Sequence, residues 1–144
     1  MPENRLIDSN IIVYAFDRSE GGKHEKAKAI ISLCLDKKET FFISLQNISE
    51  FYNIVTTKIE KPLSKQEARK ICYDLSRFSG FVKLVPNAQT LIEAMHLNEK
   101  YDPDYWDALI AATMRENHVS AIITENLKDF NKVPGINAVN PFIK

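Results

Sequence analysis

The run RLIDSNIIVYAF, residues 5 to 16, is apolar except for one carboxylate near its start, Asp8, which is followed directly by Ser9 and Asn10. An ionised carboxylate in an apolar stretch is costly unless it is hydrogen-bonded, paired or bound to a metal. Asp8 therefore either caps the helix that follows or belongs to a site, and this segment alone supports both readings equally. Further acids occupy comparable positions. Glu50 lies beside the apolar stripe of another helical pattern, half turned toward the core. Asp107 stands between Trp106 and Ala108 in DYWDALIAA, with Asp104 three residues earlier, where a charge also suits the helix dipole. Glu125, Asn126 and Asp129 follow the apolar run AIIT. Acids gathered in one place repel, at about 4 kcal/mol per pair for a separation near 4 Å and an effective dielectric near 20. A divalent cation removes that cost. An oxygen-only donor set without His or Cys selects Mg²⁺ or Mn²⁺ rather than zinc.

The elements that must position these acids follow from periodicity. Arg5-Leu6-Ile7, TFFIS, FVKLV, VSAIIT and INAVNPF read as strands. Between them lie helical patterns: a short one after Asp8, then EGGKHEKAKAIISLCLDKK with the stripe Ala27, Ile30, Ile31, Cys34, Leu35. The next runs from Leu45 to about Lys61, with Ile48, Phe51, Tyr52, Val55, Thr56 and Ile59 on one face and Pro62 as its stop. SKQE, residues 64 to 67, is a capping box for a helix ending near Ser79-Gly80. A helix from Asn87 to about Lys100 is expected to turn Leu91, Ala94, Met95 and Asn98 inward, and one through YDPDYWDALIAATMRENH to hold Pro103 near its first turn. ENLKDFNKVPG is expected to be a loop. Strands separated by helices make the fold class α/β with a mainly parallel sheet. In such a sheet Asp8 and the segment from Glu125 leave the same carboxyl edge, where open α/β sheets hold their ligands.

The 144 residues are expected to form a single domain, 1–144. With 19 basic and 19 acidic residues the formal charge is zero, so any nucleic acid must be held by local patches. No apolar stretch approaches membrane-span length and MPENRLID lacks a leader pattern, so a soluble, cytoplasmic protein with no membrane partner is expected. Cys34 and Cys72 fall on apolar stripes, and His24, His96 and His118 are scattered, which argues against a zinc site.

In this order and spacing, LIDSNIIVYAFD, SLQNISEFYNIVTTKI, YWDALIAATM and IITENLKDF resemble the four acidic motifs of PIN-domain nucleases, and specifically of VapC-like toxins of toxin–antitoxin pairs. The resemblance covers nearly the whole chain. It implies a three-layer α/β/α sandwich and Mg²⁺- or Mn²⁺-dependent endoribonuclease activity in which Asp8, Glu50 and Asp107 hold metal and serve catalysis. Ser9 stands where Thr is commoner, and Thr124 matches the hydroxyl residue before the fourth motif. Asn126 departs from the pattern, since many members carry Asp there. Asp129 and Glu125 are both available as the fourth acid; one helical turn from Asn126 would put Asp129 on its face, which makes Asp129 the expected one. Ser9, Asp104, Thr124 and Asn126 then surround the acids. The resemblance further implies RNA as substrate, a cognate antitoxin and a homodimer. RNA binding by a neutral chain calls for a basic strip, with Lys58, Lys61, Lys65 and Arg69 around KIEKPLSKQEARK as candidates.

Hydrolysis assisted by the cation, yielding a 5′-phosphate and a 3′-hydroxyl, is the expected chemistry, because no His pair offers the cyclising route. Asp8→Asn and Asp107→Asn are both expected to relieve repulsion in the metal-free chain. The competing readings are a housekeeping RNA-processing or DNA-repair nuclease, a non-catalytic PIN fold and a receiver-like module. The last lacks an acid pair after the first strand and an Asp at the end of VKLV.

Overall fold

The computed structural model describes residues 4–143; Met1 to Glu3, part of the N-terminal stretch read above, and Lys144 lie outside them. Five strands, β1 (Arg5–Ile7), β2 (Phe41–Ser44), β3 (Phe81–Leu84), β4 (Ala121–Ile123) and β5 (Asn137–Val139), form one sheet in the order β3-β2-β1-β4-β5. Every neighbouring pair is parallel. The helices are α1 (Ser9–Phe16), α2 (Gly22–Leu35), α3 (Leu45–Thr57), α4 (Lys65–Arg77), α5 (Ala88–Tyr101), α6 (Tyr105–Glu116) and the single turn α7 (Leu127–Phe130), with a 3₁₀ turn at Arg18–Glu20.

The period-two alternation of each strand divides the core. Ile7, Phe41, Ile43, Phe81 and Ile123 pack with Ile11 and Ile12 of α1, Ala27 of α2, Phe51 of α3 and Ala68 of α4. Leu6, Leu84 and Ile122 point to the opposite face and pack with Ala94 and Leu97 of α5 and Leu109 and Ile110 of α6. The result is an α/β/α sandwich with β1 at its centre. The chain steps from β1 through β2 to β3 on one side and returns to β4 and β5 on the other, so the crevice between the carboxyl ends of β1 and β4 is the topological switch point. Among the described residues no helix is long and apolar enough to cross a membrane.

Several boundaries differ from the sequence reading for local reasons. Helix α3 ends at Thr57, well before Pro62, because the Leu63 N–H turns back to the Val55 carbonyl at 2.8 Å. Pro103 precedes α6, and Asp104 is its N-cap, accepting from the Trp106 N–H at 3.2 Å. Leu35 is exposed, at the last turn of α2. ENLKDF contains the turn α7, capped by Asn126, where a loop was expected. The inward face of α5 is also rotated: Thr90, Ala94 and Leu97 are buried, while Leu91, Ile92 and Met95 are exposed. The cause is polar, since Thr90 closes a capping box with Asn87 and its hydroxyl donates to Glu116 of α6 at 2.7 Å, which fixes that face against α6.

Candidate active site

Asp8 leaves β1 with extended backbone (φ −75°, ψ 157°) and N-caps α1, so its side chain turns back over the carboxyl edge of the sheet, 3% exposed. The two alternatives posed by the sequence are thus one arrangement: the cap is in the site. One oxygen, Oδ1, accepts from the Ser9 N–H at 2.8 Å, from Asn47 Nδ2 at 3.3 Å and from the Ser9 hydroxyl at 3.4 Å. The other, Oδ2, accepts from the Thr124 hydroxyl at 2.7 Å and from Asn10 Nδ2 at 3.2 Å. Thr124 directly follows β4, the strand hydrogen-bonded to β1, which is why a residue so distant in sequence reaches Asp8.

Glu50 projects half-buried from α3, and its two oxygens accept from the Ser9 hydroxyl at 3.1 Å and from Gln46 Nε2 at 3.1 Å. The same Gln46 nitrogen donates to the Trp106 carbonyl at 2.9 Å, tying α3 to the first turn of α6. Asp107, also half-buried, accepts from Asn126 Nδ2 at 2.5 Å, and that nitrogen lies 3.1 Å from Asp129 Oδ2. Asp129 also accepts the Asp104 N–H at 3.1 Å and has Lys132 Nζ at 3.6 Å. Asp8, Ser9, Glu50 and Asp107 line one cleft of about 560 Å³; Thr124, Asn126 and Asp129 support it from behind through the bonds just given. Glu125 points elsewhere, held by the Tyr14 hydroxyl and Lys23 Nζ, each at 2.6 Å.

The four basic residues grouped by sequence line more than one hollow. Lys58 lines the acidic cleft, Lys61 lines a separate cavity beside α1 and α2, and Lys65 and Arg69 flank Tyr52 in a third hollow. Asn10, Asn47 and Gln46 are site residues that the sequence reading did not assign. The cues were spacing alone: Gln46 and Asn47 stand four and three residues before Glu50, and Asn10 follows Asp8 by two.

The electrostatics separate the acids into two kinds. Burial, then Asp8, Asp104, Asp129 and Glu50, push Asp107 up to about 8. Burial likewise raises Asp8 and, with the nearby Asp8 and Asp104 charges, Glu50, against the hydrogen bonds each accepts. For Asp129, burial is outweighed by the Asp104 N–H, Asn126 and Lys132, and the carboxyl stays below its usual range. Glu125 is also held low, its burial outweighed by Lys23 and Tyr14. Asp8, Glu50 and Asp107 are therefore carboxylates whose ionised form burial disfavours and which no ion pair among the described residues offsets. Among the described residues no three His, Cys, Asp or Glu side chains already stand in ligating geometry. The donor chemistry nevertheless fits a hard divalent cation: the acids are oxygen ligands, no His or Cys lines the cleft, and their mutual repulsion is what a cation would remove.

Comparison with solved structures finds the same architecture in proteins of low sequence identity. A toxin–antitoxin complex from Klebsiella pneumoniae superposes with a TM-score of 0.65 at 24% identity, over 96% of this chain and 98% of that one. DNA-bound VapBC from Salmonella typhimurium gives 0.67 at 19% identity, over 97% and 99%. VapC20 of Mycobacterium tuberculosis, described as a toxin that cleaves the sarcin-ricin loop, gives 0.65 at 13% identity, over 83% and 87%. No curated protein matches the sequence. The sequence profile of the PIN domain matches residues 5–136, nearly the whole chain, and the protein belongs to the PIN domain family.

Proposed function

We propose that this PIN domain is a divalent-metal-dependent endoribonuclease and the toxin of a toxin–antitoxin pair, acting in the cytoplasm. The observation that carries the reading is the trio Asp8, Glu50 and Asp107, buried or half-buried around one cleft at the switch point of the sheet and short of positive charge. In this reading Asp8, Glu50 and Asp107 hold Mg²⁺ or Mn²⁺. A cation bound there supplies an activated water and neutralises charge on the phosphoryl oxygens. The chain's own groups set up that arrangement. The Ser9 hydroxyl donates to Glu50 while the Ser9 backbone N–H donates to Asp8, so one residue positions both carboxylates. Asn47 and Thr124 orient Asp8 from either side, as partners behind metal ligands do. Asn126 orients Asp107 and hands Asp129 a supporting role. Among the described residues no histidine lines the cleft, which supports hydrolysis to a 5′-phosphate and a 3′-hydroxyl over cyclisation.

The toxin assignment is supported by the toxin–antitoxin complexes among the structural neighbours. A homodimer is supported by the exposed apolar side chains Leu91, Ile92 and Met95 of α5 and Val82 and Val85 at the edge strand β3, surface that a second copy would cover. The test is to express the chain under control, sequence the newly formed RNA ends, and repeat with Asp107→Asn. New 5′-phosphate ends that vanish in the variant support the reading. RNA left intact, or ends that persist in Asp107→Asn, contradict it.

A further inference from the structure

We infer that Trp106 is a stacking platform for an unpaired nucleobase of the RNA strand bound in the acidic cleft; the inference rests on the nuclease reading above. Trp106 lines that cleft beside Asp107, yet it is 58% exposed, an unusual position for the largest apolar side chain. It is also held in place. Asp104 accepts its N–H at 3.2 Å, Gln46 donates to its carbonyl at 2.9 Å, and the Tyr105 ring packs edge-on at 5.2 Å and 72°. The main chain on both sides of Trp106 is thus fixed and its ring rests against Tyr105, so the platform starts partly ordered and less freedom is lost on binding.

The charge of the cleft points to a base as that partner. Lys58 is the one cationic side chain among the described residues lining it, against the carboxylates Asp8, Glu50 and Asp107. Contacts to phosphates by Lys and Arg, the usual source of affinity for nucleic acid, are therefore scarce here. Aromatic stacking supplies affinity without charge and tolerates any base, because every base has a π-face. Ser49 and Asn53 offer neutral hydrogen-bonding groups along the same cleft, suited to base edges and ribose hydroxyls.

Trp106 is the only tryptophan of the chain, so its fluorescence reports on this surface alone. The experiment titrates the full chain with a short labelled oligouridine and with an abasic ribose-phosphate oligomer of equal length, with Ca²⁺ in place of Mg²⁺. It follows tryptophan emission and label anisotropy together, for wild type, Trp106→Phe and Trp106→Ala. The expected result is quenching by oligouridine and none by the abasic oligomer, binding retained in Trp106→Phe, and binding weakened about 5- to 100-fold in Trp106→Ala. Oligouridine binding without a change in emission, or equal affinity in Trp106→Ala, overturns the inference. So does an emission change on dilution of the protein alone, which would place Trp106 between two copies of the chain. Failure of oligouridine to bind also overturns it, and RNA cleavage in Mg²⁺ then separates the two claims: persisting cleavage leaves the nuclease reading standing, and absent cleavage removes both.

Discussion

Asn126 reaches Asp107 through its amide nitrogen, Nδ2 to Oδ2 at 2.5 Å, and so an uncharged donor stands against a carboxylate that burial and neighbouring acids push up. Replacing that donor by an acid reverses the interaction. Asn126→Asp is expected to lower the Tm of the metal-free protein and to raise its affinity for Mn²⁺ about tenfold, since affinity for hard cations follows the ligand charge count. Differential scanning calorimetry in chelator and isothermal titration with Mn²⁺ check the two halves. A higher metal-free Tm in the variant would show that Asn126 does not stabilise Asp107.

Asp107 gives the metal-free protein a defined pH dependence. Its carboxyl is pushed up from 3.8 to about 8 by burial and by the neighbouring acids. Across that window the folded chain retains a proton that the unfolded chain has released, so this contribution to stability is fully present below the window and is lost as pH rises through it. Asp107→Asn removes the titration. The variant is expected to melt several degrees above wild type in chelator at the alkaline end, with the gap closing toward the acid end. Parallel slopes of Tm against pH in the two proteins would contradict this.

Asp8→Asn is expected to stabilise the metal-free chain less than Asp107→Asn does. Donors from Ser9, Asn47, Asn10 and Thr124 converge on Asp8, and an amide NH₂ in its place would face some of them unpaired. Asp107 accepts from Asn126 alone among the described residues. The sequence expectation that both substitutions act alike is thus replaced by an order, which melting curves of the two variants in chelator decide.

Asp129→Ala is expected to weaken metal-dependent cleavage about 10- to 100-fold, because Asp129 orients Asn126 and, through the Asp104 N–H, the start of α6. Glu125→Ala is expected to leave cleavage within a few-fold of wild type and to lower Tm instead, since Tyr14 and Lys23 lose their shared partner. Kinetics and melting of the two variants, side by side, check the assignment. A larger catalytic loss from Glu125→Ala would overturn it.

The acids were legible in the sequence because each sits in a run too apolar to carry a charge idly. Asp8 lies between Ile7 and the apolar face of α1, and Asp107 lies beside Ala108, Leu109 and Ile110, all buried. The order of strands and helices was legible for the same reason of periodicity. What could not be read depends on tertiary partners. The α5 face was misjudged because Thr90, a polar residue, is buried by its bond to Glu116, while Leu91 and Met95 stay outside. How Lys58, Lys61, Lys65 and Arg69 lie relative to the cleft could not be read either, and of the four Lys58 is the one that lines it. Gln46 and Asn47 became site residues only once α3 was laid beside α1 and α6. Asp8 posed a choice between cap and site, and it both caps α1 and lines the cleft, so the cap does not argue against the site.

The most direct test of the central claim, that Asp8, Glu50 and Asp107 form a cation-dependent centre for RNA hydrolysis, is cleavage of a labelled single-stranded RNA by the purified protein as Mg²⁺ or Mn²⁺ is titrated against chelator. Cleavage is expected to appear with either metal, to stop in excess chelator, and to be lost in Asp107→Asn while that variant remains folded. Undiminished cleavage in chelator would contradict it.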